Sequence, residues 1–308
     1  MVEERVAINI CVVGASGLIG LRHTQHCLSE PLVNLSCTVD ITAPGTAAAG
    51  KLKDELVEEL SGVPHFTTIN EMFQARTEGN IQVDGAIIAT PNATHVELGL
   101  KMVRNGIDVL VEKPLSTSVD SARVLVEEVE RLGRKIAVGH HRRFNPYTIQ
   151  AKRMFAEGKL GQIQGVWTCL KPLSYFNSPA TSWRKTPGNG GVILINLIHE
   201  VDLLRYLCGD IIKVYCQQGK STRGFEIEET DAVASPHNWE GATGENPTMP
   251  YTGETVYTFF GTKGTLSIPQ LKLHHYAQSV SDSGCWTDPI TTDPYPQFDQ
   301  TTLPLRRS

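Results

Sequence analysis

Val6-Ala-Ile-Asn-Ile-Cys-Val-Val13 runs without a break into Gly14-Ala-Ser-Gly17-Leu-Ile-Gly20. The first stretch is an almost continuous apolar run, as expected of a strand buried on both faces of a parallel sheet. The second is glycine-rich and opens a helical pattern over 18–28. Glycines between a strand and a helix permit a tight turn. They also let backbone N–H groups approach a pyrophosphate at the helix N-terminus, where the dipole favours an anion. The spacing is G-x-x-G-x-x-G, one residue longer than the common G-x-G-x-x-G. Gly14, Ser16, Gly17, Leu18 and Ile19 are therefore candidate cofactor-binding residues.

A second strand is expected over 35–39, and Asp40 ends it, twenty residues after Gly20. An acid there hydrogen-bonds adenosine ribose hydroxyls and repels a 2′-phosphate. No arginine follows until Arg76, although Lys51 and Lys53 lie downstream, so NAD is expected over NADP. A turn-forming Asp at a strand end is the plain alternative.

Outward from this turn, strands and helices alternate. Strands are expected over 85–90, 108–111 and 136–139, and helices over 54–60, 93–105 and 118–132. Thr68-Ile-Asn-Glu71 is a capping box opening another helix. The alternation predicts an α/β fold, a doubly wound parallel Rossmann sheet over 1–139. The pattern then changes. Asn145-Pro146 starts a helix, with Asn at the cap and Pro in the first turn. Strand-like segments follow at 163–173, 211–217, 254–260, 265–268 and 272–277, with one helix over 191–207. The region 140–308 therefore reads as an α+β domain with an open, mostly antiparallel sheet. Residues 240–253 read as a loop, and the tail from Asp288 carries no expected element.

Composition narrows the function classes. The 308 residues suggest two domains at ~100–200 residues each. With 28 Lys and Arg against 33 Asp and Glu, the net charge of −5 disfavours nucleic acid or an anionic membrane as partner. No apolar run approaches the ~18 residues of a membrane span. The acidic start at Glu3-Glu4 does not suit a signal peptide. Seven scattered cysteines without a C-x-x-C pair read as reduced thiols of a cytoplasmic protein. His274-His275 lacks a third ligand at useful spacing, and no metal site is expected.

Two more motifs sit at strand ends, where open α/β sheets bind ligands. Thr90-Pro-Asn-Ala-Thr-His95 contributes Thr90, Pro91, Asn92 and His95; Val111-Glu-Lys-Pro114 contributes Glu112 and Lys113. A lysine held beside a nicotinamide can polarise a carbonyl or share a hydroxyl proton. His140-His-Arg-Arg143 could form an anion site, and strand alternation would put His140 and Arg142 on one face.

These blocks, with Ala89–His95, Glu112–Pro114, His140–Pro146, Trp183-Arg184 before Gly190-Gly191, and Ile198-His-Glu-Val-Asp202, resemble the glucose–fructose oxidoreductase/inositol dehydrogenase (Gfo/Idh/MocA) family. The resemblance implies an NAD(P)-dependent oxidoreductase. It would pass a hydride between nicotinamide and a carbinol or carbonyl on a sugar, cyclitol or related small ring. Lys113 and His199 would be catalytic, flanking the reacting carbinol. Arg142, Trp183, Arg184 and Asn196 would bind the small-molecule substrate, and the second-domain sheet commonly builds homo-oligomers.

The chain departs from the family in two ways. Many members carry Asp four residues before the histidine, where this chain has Ile195. Asn196, three residues before His199, is expected on nearly the same helical face. This wording, and Ser235-Pro-His-Asn-Trp239, look like a subgroup acting on carboxylated dihydrodiols and hydroxy-semialdehydes. The family also usually has two paired strands after Glu228-Glu-Thr230, where only Asp231-Ala-Val-Ala234 intervenes here, and continues beyond Gln297 with a helix and a strand. A truncated member is expected, and the alternative function is a non-catalytic NAD(P)-binding sensor.

Overall fold

In the computed structural model of the chain, the apolar run forms β1 (Ile8–Val13). Residues 7–44, 58, 60–161, 163–168, 186, 191, 193–214, 239–243, 251–276 and 290–294 are described. The chain divides into two compact units, Met1–Gly139 and His140–Ser308.

In the first unit β1 lies at the centre of a parallel sheet with β2 (Val33–Val39), β3 (His65–Phe66), β4 (Gly85–Ile88), β5 (Asp108–Val111) and β6 (Ile136–Val138). The order is β3-β2-β1-β4-β5-β6. It reverses between β2 and β4, so the crevice above the carboxyl ends of β1 and β4 is the topological switch point.

Among the described residues, α1 (Leu18–Ser29), α2 (Ile69–Thr77), α3 (His95–Arg104) and α4 (Val119–Arg131) serve this sheet. Cys11 and Val13 pack on one face with Met72, Met102, Val103, Leu125 and Val129. Val12 packs on the other face with Ala15, Cys27 and Leu35. Both faces are covered, which is why β1 shows no polar alternation. The buried thiols are inert packing groups: burial pushes the Cys27 thiol up to about 11.

The first α-helix of the second unit is α5 (Pro146–Ala156), whose cap Asn145 accepts from Tyr147 N at 3.0 Å. The unit also contains β7 (Ile163–Thr168), a π-helical turn (Ile193–Leu197), α6 (Ile198–Cys208), α7 (Trp239–Thr243), β8 (Tyr257–Gly261), β9 (Thr265–Ile268), β10 (Lys272–Tyr276) and β11 (Ile290–Pro294). These strands form an antiparallel sheet in the order β11-β10-β9-β8-β7. Tyr257 and Phe259 point into a core with Tyr147, Met154, Leu203 and Trp239, whereas Phe260, the next residue, is exposed. No helix of the described residues is long and apolar enough to cross a membrane.

Several expectations are corrected. β11 lies in the tail where no element was expected. Its Thr-Thr-Asp sequence is polar, and it is held by pairing with β10 and by side-chain bonds from His274 to Thr292 (2.8 Å) and His275 to Asp293 (2.9 Å). α7 occupies the start of the expected loop at 240–253, because the Trp239 side chain belongs to the core. Residues 211–214 form no strand. Most of the expected 54–60 helix, residues 169–173 and 215–217 of two expected strands, and the stretch 228–238 of the expected strand deletion lie outside the described residues.

The capping box at Thr68 is present in both halves: Thr68 Oγ1 accepts from Glu71 N, and Glu71 Oε2 accepts from Thr68 N. Thr68→Ala should lower stability by about 1 kcal/mol in urea denaturation. An unchanged midpoint would show that the box does not hold α2.

Candidate functional site

The turn after β1 is set by Gly14, whose φ is +84°. A Cβ there would lie 2.7 Å from the Ala89 carbonyl oxygen, and one on Gly20 would lie 1.9 Å from the Gly14 carbonyl oxygen. Backbone thus meets backbone with no room for side chains. Gly14 N donates to Val39 O at 2.8 Å, and Ala89 N to Val13 O at 2.8 Å, so the ends of β1, β2 and β4 are drawn together. α1 starts directly above them. Its cap, Gly17, brings no side-chain bond, and no acid stands in the first turn. Its first amides are therefore available to an anion. This cradle, which a Cβ would fill, fits a dinucleotide pyrophosphate. Leu18 and Ile19 are exposed there, while Ser16 is buried.

Asp40 is aimed by the same turn. Its Oδ2 accepts from Ser16 N at 3.0 Å and its Oδ1 from Ile41 N at 2.7 Å. Each oxygen retains acceptor capacity for a ribose hydroxyl.

At the end of β4, Thr90 Oγ1 and Thr94 Oγ1 lie 2.7 Å apart across a 3-10 turn (Asn92–Thr94) that Pro91 leads. His95 is 1% exposed. Its Nδ1 lies 2.8 Å from the Pro114 carbonyl oxygen and its Nε2 2.9 Å from that of Thr90. The ring thus stands between the carbonyl oxygens that follow β4 and β5.

Glu112 follows β5. Burial would raise its carboxyl, but the hydrogen bond from His23 and the charges of His23 and Lys113 hold it below its ordinary value.

In the second unit the basic stretch is not a strand. His141–Phe144 is a 3-10 turn, so the alternation expected for it does not hold. A tight turn can instead lay successive cations against one helix. Arg142 Nη1 pairs with Glu200 Oε1 at 2.7 Å, both side chains buried, and its guanidinium lies 5.3 Å over the Trp239 ring. Arg143 binds Asp202 through two nitrogens, at 2.9 and 2.6 Å, and lies over Tyr206. The Asp202 bond raises the Arg143 guanidinium further.

These pairs fix α6 against the turn and set His199. That ring is 7% exposed and stands edge-on to His141 and His140, with centroids 5.3 and 6.5 Å away. His140 Nδ1 is 3.7 Å from Asp202 Oδ2. Ile195 is buried within the π-helical turn. Asn196 shares that turn, so the α-helical spacing argument that placed it on the face of His199 does not apply. Trp183 and Arg184 lie outside the described residues. Sequence reasoning missed Glu200 and Asp202; the available signal was two acids in one helix that could answer two adjacent arginines.

The chain matches known proteins along both units. A family model for an oxidoreductase family with an NAD-binding Rossmann fold (GFO_IDH_MocA) matches residues 8–140, and one for the GFO/IDH/MocA C-terminal domain matches 148–267. The chain is 28% identical over 295 residues to the scyllo-inositol 2-dehydrogenase (NAD(+)) of Bacillus subtilis, covering 91% of this chain and 79% of that one. It is 27% identical over 281 residues to the inositol 2-dehydrogenase of Rubrobacter xylanophilus, covering 87% and 73%. Among solved structures, the WlbA dehydrogenase of Bordetella pertussis in complex with NADH and UDP-GlcNAcA has the same fold, with a TM-score of 0.63 at 21% identity, covering 85% and 79%.

Removing one partner of a buried ion pair strands the other charge. Glu200→Ala should therefore cost about 3 kcal/mol in urea unfolding, and Arg142→Met with Glu200→Leu much less. Equal losses in the two variants would contradict a paired role.

Proposed function

The chain belongs to the Gfo/Idh/MocA oxidoreductase family, and from that premise we propose that it oxidises a ring carbinol, or reduces the matching carbonyl, on a cyclitol or sugar. The observation that carries this is the family match across both units, together with relatives named for inositol oxidation. The cofactor is NAD rather than NADP. Asp40, held by the Ser16 and Ile41 amides, would accept the ribose hydroxyls and repel a 2′-phosphate.

The dinucleotide, when bound, supplies a nicotinamide that takes the hydride from the carbinol carbon. This chain's residues handle the rest. Amides of the 14–20 turn hold the pyrophosphate. The Lys113 ammonium holds the substrate oxygen and stabilises its developing charge. His199 takes the hydroxyl proton, a task that suits an imidazole near neutral pH. Hydride plus proton leave together, so carbinol becomes carbonyl. Arg142 serves through Glu200 by setting the turn beside His199, and Trp183, Arg184 and Asn196 remain proposed substrate contacts.

Ile195 favours a second reading. A buried aliphatic group where many members carry an acid cannot share a proton with His199. That reading is a non-catalytic NAD-binding protein, which predicts saturable NAD binding with no turnover on any carbinol.

The test uses scyllo- and myo-inositol with NAD, following reduced nicotinamide. Lys113→Ala and His199→Asn should each lower kcat/KM by about 10²–10⁴-fold while NAD affinity by calorimetry is retained. Wild-type turnover in either variant would remove that residue from the chemistry.

A further inference from the structure

His23 Nε2 lies 2.8 Å from Glu112 Oε1, and the two side chains are only 22% and 14% exposed. They belong to opposite halves of the parallel sheet. His23 stands in the second turn of α1, which joins β1 to β2. Glu112 follows β5, which lies beyond β4 on the other side of the switch point.

Each end is fixed in its own half. α1 is seated on the β1 side by Gly20 against the Gly14 carbonyl, and by Cys27 among Val12, Ala15 and Leu35. Glu112 N donates to Ile88 O at 2.9 Å, which sets this residue on the β4 side. Its carboxylate has little freedom. A Cβ on Gly139, just past β6, would lie 2.8 Å from Oε1, and Oε2 accepts from Lys113 N at 3.2 Å. Against the effect of burial, the His23 bond holds the Glu112 carboxyl below its ordinary value. An ionised carboxylate only accepts, so His23 Nε2 is the donor. Among the described residues, the other side-chain hydrogen bonds of α1, from Thr24 to Gly20 O and from Ser29 to Gln25 O, stay within that helix.

A dinucleotide lies across both halves of such a sheet, so its affinity depends on how the halves are set against each other. The β1–β4 ladder ends at Val13 and Ile88, where the crevice opens. Past that point the His23–Glu112 bond joins the helix that carries the anion-binding amides to a strand end of the opposite half.

We propose that His23 is a positioning residue for the cofactor: through Glu112 it ties α1 to the β4–β6 half, and so holds the two halves at the spacing a dinucleotide needs. No contact of His23 with the cofactor is involved. This rests on the reading that the crevice binds NAD, and it is independent of turnover.

The test is calorimetry on the full chain with NAD, which spans both halves, and with AMP, which reaches only the Asp40 half. In His23→Leu the Kd for NAD should rise about tenfold, the low end for a hydrogen bond to a charged group, while that for AMP stays within about twofold. His23→Gln, whose amide N–H stands near the place of Nε2, should recover the NAD affinity. In a Glu112→Ala background, His23→Leu should add nothing, because the tie is already cut. An unchanged NAD Kd in His23→Leu, an equal loss for AMP, no recovery in His23→Gln, or a full further loss in the Glu112→Ala background overturns the proposal. If His23→Leu does not fold, His23→Asn against His23→Gln decides: the shorter amide should weaken NAD alone, and equal affinities overturn the proposal. A wild-type chain that binds neither NAD nor AMP would overturn the dinucleotide reading and the tie with it. The predicted split between NAD and AMP, with no carbinol oxidised, would overturn the activity and leave the tie standing.

Discussion

No side chain fits at Gly14. Its backbone lies against the Ala89 carbonyl with φ at +84°, and Gly20 in turn lies against the Gly14 carbonyl. This close approach locks the ends of β1 and β4 together and starts α1 directly above them. The remaining features of the first unit depend on it. It points the α1 amides at the switch-point crevice, sets Ser16 N on Asp40, and brings His23 on α1 to Glu112 beside Lys113. A single added methyl group would have to move strand, turn and helix together.

The second unit solves a different problem, that of placing a buried histidine on a helix. Two adjacent arginines in a tight turn bind two acids of α6, one pair buried and one partly exposed. Buried ion pairs are weak sources of stability but strong determinants of geometry. His199 takes its setting from them, edge-on to His140 and His141. The acid that many family members supply before this histidine is replaced by Ile195, so a proton taken here would have to leave by another route.

Local signals were legible in the sequence. The β1 run, the Thr68 box and the Asn145-Pro146 start each act within a few residues, and each stands where it was read. Non-local pairing was not legible. β11 is polar, and pairing with β10 together with the bonds to His274 and His275 makes it a strand. The 140–143 stretch directly follows a strand and so suggests its continuation; the partners of Arg142 and Arg143, Glu200 and Asp202, lie almost sixty residues away. At the site, Gly14, Asp40 and Lys113 could be named from spacing. The contact of His23 with Glu112 could not, because no motif marks it.

The activity proposed for this chain is hydride transfer from a ring carbinol to NAD. The most direct measurement follows the atom itself. Scyllo-inositol deuterated at its ring carbons is incubated with NAD and the full chain, and the recovered dinucleotide is examined by mass spectrometry and NMR. The account predicts one deuterium at nicotinamide C4, delivered to a single face. Saturable NAD binding with no deuterium transferred from this or any other deuterated sugar or cyclitol would contradict it.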